Sequence, residues 1–161
     1  MTAAPVQNDS GVKPIATNRK AYRDYHVLDK LEAGIELRGT EVKSLRQGNA
    51  NLNESFANVD KSGQVFLYQC HILPYDHGNV HNHDPVRPRR LLLHSKEIKR
   101  LHGLMAIKGQ TLVPLRMYFR RGRAKVELGL CKGKQTVDKR EDIKKRDAKR
   151  EAEREMARRN R

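Results

Sequence analysis

Three groups of side chains have types and spacings that could do chemistry. The first lies in a long stretch, residues 75–90, holding Asp76, His77, His81, His83 and Asp84. Imidazoles in a His-x-x-x-His-x-His spacing invite a zinc or nickel site. A bare loop rarely fixes tetrahedral geometry, and no supporting set of groups accompanies it, so an exposed polar loop without metal is expected. The second is a basic cluster, Arg19, Lys20 and Arg23, beside Tyr22 and Tyr25. It can pair phosphates and stack an aromatic on a base or ribose, or it can be a solvated entry to the first strand. The third is Arg120-Arg121-Gly122-Arg123, a basic hairpin tip that either solubilises the surface or touches phosphates. For catalysis the chain offers no P-loop and no clear cluster. His71, His94 and Asp84 are too scattered to argue for a nuclease, and no cofactor is expected.

The whole chain sharpens the second reading. It has 161 residues and a formal charge of +15, with a pI near 10.2. That charge on one small domain with tails points to a polyanion partner. Nucleic acid is the first candidate. An anionic membrane is the second, but no long apolar run or lipid-anchor motif supports it. Tryptophan is absent and aromatics are 5%, so backbone and shape contacts should outweigh stacking on many bases. Cys70 and Cys131 sit in apolar strand-like runs and read as buried thiols in a reducing cytoplasm. No hydrophobic signal segment opens the chain, which fits the same compartment.

The elements that must position these groups follow from periodicity. Residues 1–17, with Pro5 and Pro14, read as a disordered arm. Tyr25, Val27, Leu31, Ala33, Ile35 and Leu37 alternate, so a long strand rests one face on a core. After Gly39 the spacing changes. Thr40 can cap a short helix holding Val42 and Leu45, with Gly48 as a left-handed stop; Glu36, Arg38, Lys43 and Arg46 are the charged positions. Residues 56–59 and 65–73 read as strands around a turn at Asp60-Lys61-Ser62-Gly63, where Gly63 is free to take positive φ. Ser95 and Glu97 open a helix whose apolar stripe is Ile98, Leu101, His102 and Met105. Residues 112–119 and 124–131 form a second hairpin. Val113, Leu115, Met117 and Phe119 alternate on one arm and Val126, Leu128 and Leu130 on the other; Pro114 argues for an edge or a bulge. Short antiparallel strands with one clear helix make a small barrel or a sandwich, and periodicity does not choose between them. After Lys132 nearly every residue is charged or polar. Asp138 and Glu141 resemble a capping box. The stripe Ile143, Ala148, Ala152, Met156 and Ala157 is too thin to drive ordering by itself. The tail is therefore a charged single helix, a disordered segment, or a segment that folds on meeting RNA.

The motifs Asn18-Arg19-Lys20-Ala21, Asp24-Tyr25, Glu32-Ala33-Gly34-Ile35, Gly39-Thr40-Glu41-Val42-Lys43-Ser44-Leu45-Arg46, Asp84-Pro85, Leu91-Leu92-Leu93, Leu112-Val113-Pro114-Leu115, Gly129-Leu130, Gly133-Lys134 and Asp138-Lys139-Arg140 resemble the small protein B (SmpB) family. That family partners transfer-messenger RNA in bacterial trans-translation. The resemblance spans roughly residues 18–146. It implies a mainly β fold: a small antiparallel OB-like β-barrel with helices packed outside, over 18–132, and a basic C-terminal tail over 133–161. It implies a non-enzymatic adaptor, monomeric and 1:1 with the RNA, that works in the cytoplasm at the decoding centre of the small subunit. The implied RNA contacts are Asn18, Arg19, Lys20, Tyr25, Glu32, Arg46, Leu92 and His94. Glu32 faces a polyanion, so it would accept hydrogen bonds from base edges or 2′-hydroxyls, or else pair with a neighbouring arginine. The implied ribosome contacts are Lys134, Asp138, Lys139, Arg140, Ile143, Lys144, Lys145 and Arg146. Two positions depart from the pattern. Gln135 stands where a second lysine is common, and Val137 stands where a stacking histidine or aromatic is common. A structural ribosomal protein that binds ribosomal RNA fits the charge and the tail equally well and stays open as the alternative.

Overall fold

The computed structural model describes residues 11–76 and 83–160. In chain order the elements are β1 (Val12–Thr17), α1 (Arg19–Asp24), β2 (Tyr25–Ile35), α2 (Gly39–Arg46), β3 (Ala50–Asn51), β4 (Phe56–Val59) and β5 (Val65–Tyr68). There follow β6 (His71–Ile72), β7 (Arg89–Leu92), α3 (Ser95–Met105), β8 (Gln110–Arg120), β9 (Arg123–Gly133) and α4 (Thr136–Arg159). All strand pairs are antiparallel. The large sheet returns on itself in the order β8–β4–β5–β7–β2–β9–β8, with β1 added along β8. The fold is mainly β and OB-like, as the resemblance implied.

Two bulges divide this sheet into two packing layers. The alternation in β2 predicts one buried face, yet an extra residue near Leu28 shifts the register between Val27 and Asp29. A one-residue shift moves all following side chains to the other face. Tyr25 and Val27 therefore pack outside the sheet with Ala21 of α1, while Leu31, Ala33 and Ile35 enter the main core. The same happens in β8 between Pro114 and Arg116. Val113 and Leu115 join the outer layer under α1, and Met117 and Phe119 join the inner one, so the four do not share a face. Proline supplies no ladder donor, which is why the bulge falls there. Gly129 sits where β9 crosses this layer. A Cβ there would lie 2.9 Å from Leu115 Cδ1, so only glycine fits without displacement.

Three helix starts differ from expectation in the same way. The caps of α2, α3 and α4 are Arg38, His94 and Gln135, each one to three residues before the expected Thr40, Ser95 and Asp138. In each, an acidic side chain three residues on reaches back to the cap N–H: Glu41 to Arg38 (3.0 Å), Glu97 to His94 (3.0 Å), Asp138 to Gln135 (3.2 Å). The predicted arm over 1–17 also needs correction. Val12–Thr17 is a strand paired to β8, with a bulge between Pro14 and Ala16; residues 1–10 lie outside the described residues. Gly48 and Gly63 take the positive φ expected of them, 77° and 81°.

Candidate nucleic-acid interface

The first cationic site is organised by one buried amide. Asn18 is 1% exposed and caps α1. Its Oδ1 accepts from Ala21 N (3.0 Å), while Nδ2 donates to Leu52 O (3.0 Å) and Pro114 O (2.9 Å). These three bonds fix the helix that carries Arg19, Lys20 and Arg23. Those cations line a groove of about 690 Å³ together with Tyr22 and, from the tail, Arg146. Lys20 is held by Glu54 at 2.5 Å, and that carboxylate raises its pKa. Tyr25 turns inward against the outer layer.

The second site lies where β2, β7 and the β8–β9 hairpin meet. Glu32 and, far from it in sequence, the near neighbours Leu92 and His94 line one groove of about 640 Å³ with Arg123 and Lys125. Leu92 is half exposed and rests over Gly34; a Cβ on Gly34 would come within 3.2 Å of Leu92 Cβ. An apolar side chain on a solvated sheet face, with Arg123 and Lys125 in the same groove, is a pad for the flat side of a sugar or base. Beside it runs a ladder of alternating charge. Glu32 and Glu127 stand directly opposite each other on β2 and β9. Each is neutralised from β8: Glu32 Oε2 accepts from Tyr118 Oη (2.5 Å) and Arg120 Nη1 (2.6 Å), and Glu127 accepts from Arg116 (2.5 Å). The guanidiniums of Arg116 and Arg120 lie 5.4 and 5.6 Å from the Tyr118 ring centre. Burial, the Glu32 hydrogen bond and its charge push the Tyr118 phenol up, so it remains a donor. Of Glu32's two oxygens, this network uses Oε2.

Beneath the surface is a cluster that periodicity did not reveal. Glu41 and Arg89 are both fully enclosed. Glu41 accepts from Arg89 Nε, Arg87 Nε (3.1 Å), Arg87 Nη2 and Arg38 N. Arg89 spends its remaining donors on Cys70 O (2.6 Å), Pro85 O (3.1 Å) and Arg87 O (3.3 Å). One guanidinium thus ties α2, the end of β5 and the start of β7 together. His83 is likewise buried, with Nε2 donating to Ile72 O at 3.1 Å and Nδ1 near Thr40 Oγ1 at 3.4 Å. It is a structural histidine and not part of an exposed loop. His77 and His81 lie outside the described residues, and among the described residues no His, Cys, Asp or Glu group is placed to hold a metal. Cys70 and Cys131 are buried free thiols, as expected, and burial pushes both up to about 11.

The tail leaves the barrel as α4, helical from Thr136 and with no buried residue. Its root is tied to α1 and β2. Lys134 N donates to Asp24 O (2.9 Å), and Lys134 Nζ to Tyr22 O (3.1 Å) and to Asp142. Lys139 pairs with Asp24 (3.5 Å), and His26 with Asp138 (3.3 Å). Ile143 and Val137 are exposed.

The family described as SmpB protein matches residues 15–158. The chain belongs to the SmpB family. An SsrA-binding protein of Carboxydothermus hydrogenoformans is 58% identical over 144 residues, 89% of this chain and 96% of that protein. One from Geobacter metallireducens is 57% identical over 141 residues, 88% and 92% of the two chains. A solved structure described as "tmRNA-SmpB: a journey to the center of the bacterial ribosome" aligns with a TM-score of 0.65 at 48% identity. It covers 81% of this chain and 94% of that one.

Set against the SmpB motif positions, the implied RNA residues fall into four places. Glu32, Leu92 and His94 come together on the sheet groove, and Arg19 and Lys20 on the α1 groove. Asn18 and Tyr25 stand behind the α1 cations and position them. Arg46, exposed at the end of α2, lines neither groove. Among the implied tail residues, Lys134, Asp138 and Lys139 hold the root of the SmpB tail, whereas Arg140, Lys144 and Lys145 make no ion pair among the described residues. The composition also hid a cluster. Phe56, Phe66 and Tyr68 gather on the outer face of β4–β5, with Phe56 and Tyr68 stacked at 5.3 Å.

Proposed function

We propose that this chain is a non-enzymatic adaptor that binds transfer-messenger RNA and brings it to stalled ribosomes in trans-translation. The observation that carries this is the convergence of Glu32, Leu92 and His94 on one groove, in a chain 58% identical to a protein named SsrA-binding protein. The sheet groove suits a folded RNA. Leu92 packs a sugar or base, Arg123 and Lys125 take phosphates, and the free edge of Glu32 accepts from a base edge or 2′-hydroxyl. The α1 groove adds phosphate contacts. α4, exposed along its length, stands in for the anticodon arm in the decoding centre and the empty messenger channel, with Arg140, Lys144 and Lys145 facing ribosomal RNA. A monomer bound 1:1 suffices, and the work is cytoplasmic. Among the described residues no helix is long and apolar enough to cross a membrane.

The reading makes a divided prediction. Because Arg146 lines the α1 groove, the informative cut falls after it. Removing 147–161 leaves affinity for the tRNA-like part of the RNA within about threefold of the parent and abolishes peptide tagging in a reconstituted stalled-ribosome assay. Equal loss of both would refute the division. An absence of preference for a tRNA-shaped RNA over an unrelated duplex of equal charge would refute the adaptor itself. Stoichiometric retention on ribosomes in high salt would instead favour a structural ribosomal protein.

A further inference from the structure

The α1 groove has walls of like charge from two elements that have no reason to approach. Arg19, Lys20 and Arg23 come from α1 and Arg146 from the tail helix. Lys20 is answered by Glu54 and Arg23 by Asp24 (3.4 Å). Arg19 and Arg146 have no acidic partner among the described residues. The root contacts through Lys134, Lys139 and Asp138 nevertheless bring α4 to lie where its third turn faces α1. Cations converging on a cleft focus a positive potential, and without an anion between them their repulsion opposes the docked helix. A phosphodiester removes that repulsion, and a groove of about 690 Å³ admits it together with its flanking riboses.

We infer that α1 and α4 form a single phosphate-binding groove, closed from the tail side by Arg146, so that RNA held there sets the direction in which the tail leaves the barrel. This rests on the RNA-binding reading and goes beyond it. Arg146 belongs to the grip on the carried RNA and not to the ribosome contacts, and the two halves of the protein are thermodynamically coupled: RNA favours the docked tail and the docked tail favours RNA. Tyr22, 39% exposed on the same wall, offers a ring edge to the adjoining ribose.

The test uses the full chain and the isolated tRNA-like fragment of transfer-messenger RNA, without ribosomes. Cysteines introduced by Lys61→Cys and Arg154→Cys carry spin labels; the native thiols are buried and do not compete. Adding the fragment narrows the distance distribution between the labels. Arg146→Gln weakens fragment binding by about 3- to 10-fold, lowers the salt slope by about one, and leaves the distribution broad. Arg158→Gln, which removes the same charge from the tail outside the groove, does neither. The inference falls if Arg146→Gln binds with the parent's affinity and salt slope, if Arg158→Gln matches it, or if its effect appears only with ribosomes present. A parent that shows no preference for the fragment would instead overturn the function reading.

Discussion

Two parts of this molecule use the same chemistry, a carboxylate between cations, in opposite surroundings. Glu41 sits between Arg87 and Arg89 with no water access. Asp24, Asp138 and Asp142 meet Lys139, His26 and Lys134 at the root of α4, where Lys134 is nearly covered but the other side chains keep between 24% and 48% of their surface in solvent. In water an ion pair gains little, because the solvent competes for both charges and salt screens them. Inside a core each charge depends on its partner, since removing one leaves the other stranded in a poor dielectric. The buried cluster therefore makes the barrel rigid. The exposed one gives the tail a preferred direction that it can leave. An adaptor that grips one RNA and threads a tail into a second structure needs that difference.

The largest effect belongs to Glu41. Glu41→Ala strands the enclosed Arg89 guanidinium, while Arg87 still reaches solvent, and costs about 3–5 kcal/mol of unfolding free energy, read from the denaturant midpoint. The acid limb of stability tests the same residue. Burial pushes the Glu41 carboxyl up, but hydrogen bonds from Arg87, the Arg38 N–H and Arg89 outweigh it, and the folded pKa lies below the usual carboxylate value. A depressed folded pKa gives stability that is present above the unfolded value, about 4.3, and is lost as pH falls through the folded one. The parent should lose stability below about pH 4, and Glu41→Gln should flatten that part of the acid limb. If Glu41→Ala costs no more than an exposed tail variant, burial is not what separates the two regions.

Asn18 tests the step between rigidity and binding. Its side chain makes three bonds to backbone from three segments. Asn18→Ala removes a cap and two buried side-chain hydrogen bonds, leaving Leu52 O only its bond from Ser55 N, for about 1–3 kcal/mol. It also lowers RNA affinity, because α1 no longer presents its cations. Arg19→Gln separates the effects, with RNA affinity falling and the unfolding midpoint unmoved. A midpoint shift in Arg19→Gln as large as in Asn18→Ala would mean α1 is held by its surface charges and not by the buried amide.

Much of this was legible before the structure, and the parts that were not share a cause. Strand existence followed from alternation, and the inner face of β9 (Val126, Leu128, Leu130) is as periodicity places it. Alternation could not show that one extra residue sends Tyr25 and Val27 to a different layer from Leu31 and Ala33, because parity is unchanged in sequence while the face is reversed in space. Helix starts were placed at hydroxyl or acid residues, when the decisive group was an acid reaching back three positions. The convergence of Glu32, Leu92 and His94 came from motif resemblance alone, since local spacing carries no information about three separate strand and helix ends. Arg89 was invisible because an arginine in a basic run with Arg87 and Arg90 reads as a surface charge until its partner from α2 is in view.

The smallest effect is expected at the tail root, and it is the sharpest test of the contrast. Hydrogen bonds from His26 and from the Gln135 backbone hold the Asp138 carboxyl below its usual range, yet the group stands in water. Asp138→Asn should leave the unfolding midpoint unmoved, because nothing buried loses a partner. It should still loosen the tail. With the barrel and tail labelled as above and no RNA added, the distance distribution should broaden. Raising salt from about 0.05 M to about 0.5 M should broaden the parent's distribution in the same way, since the Debye length falls to within a few ångströms. RNA in the α1 groove should reverse part of the broadening, because Arg146 then has a phosphate to hold. A distribution that ignores both the substitution and the salt would mean the tail is fixed by something other than these exposed pairs, and the distinction between a rigid grip and a releasable tail would not stand.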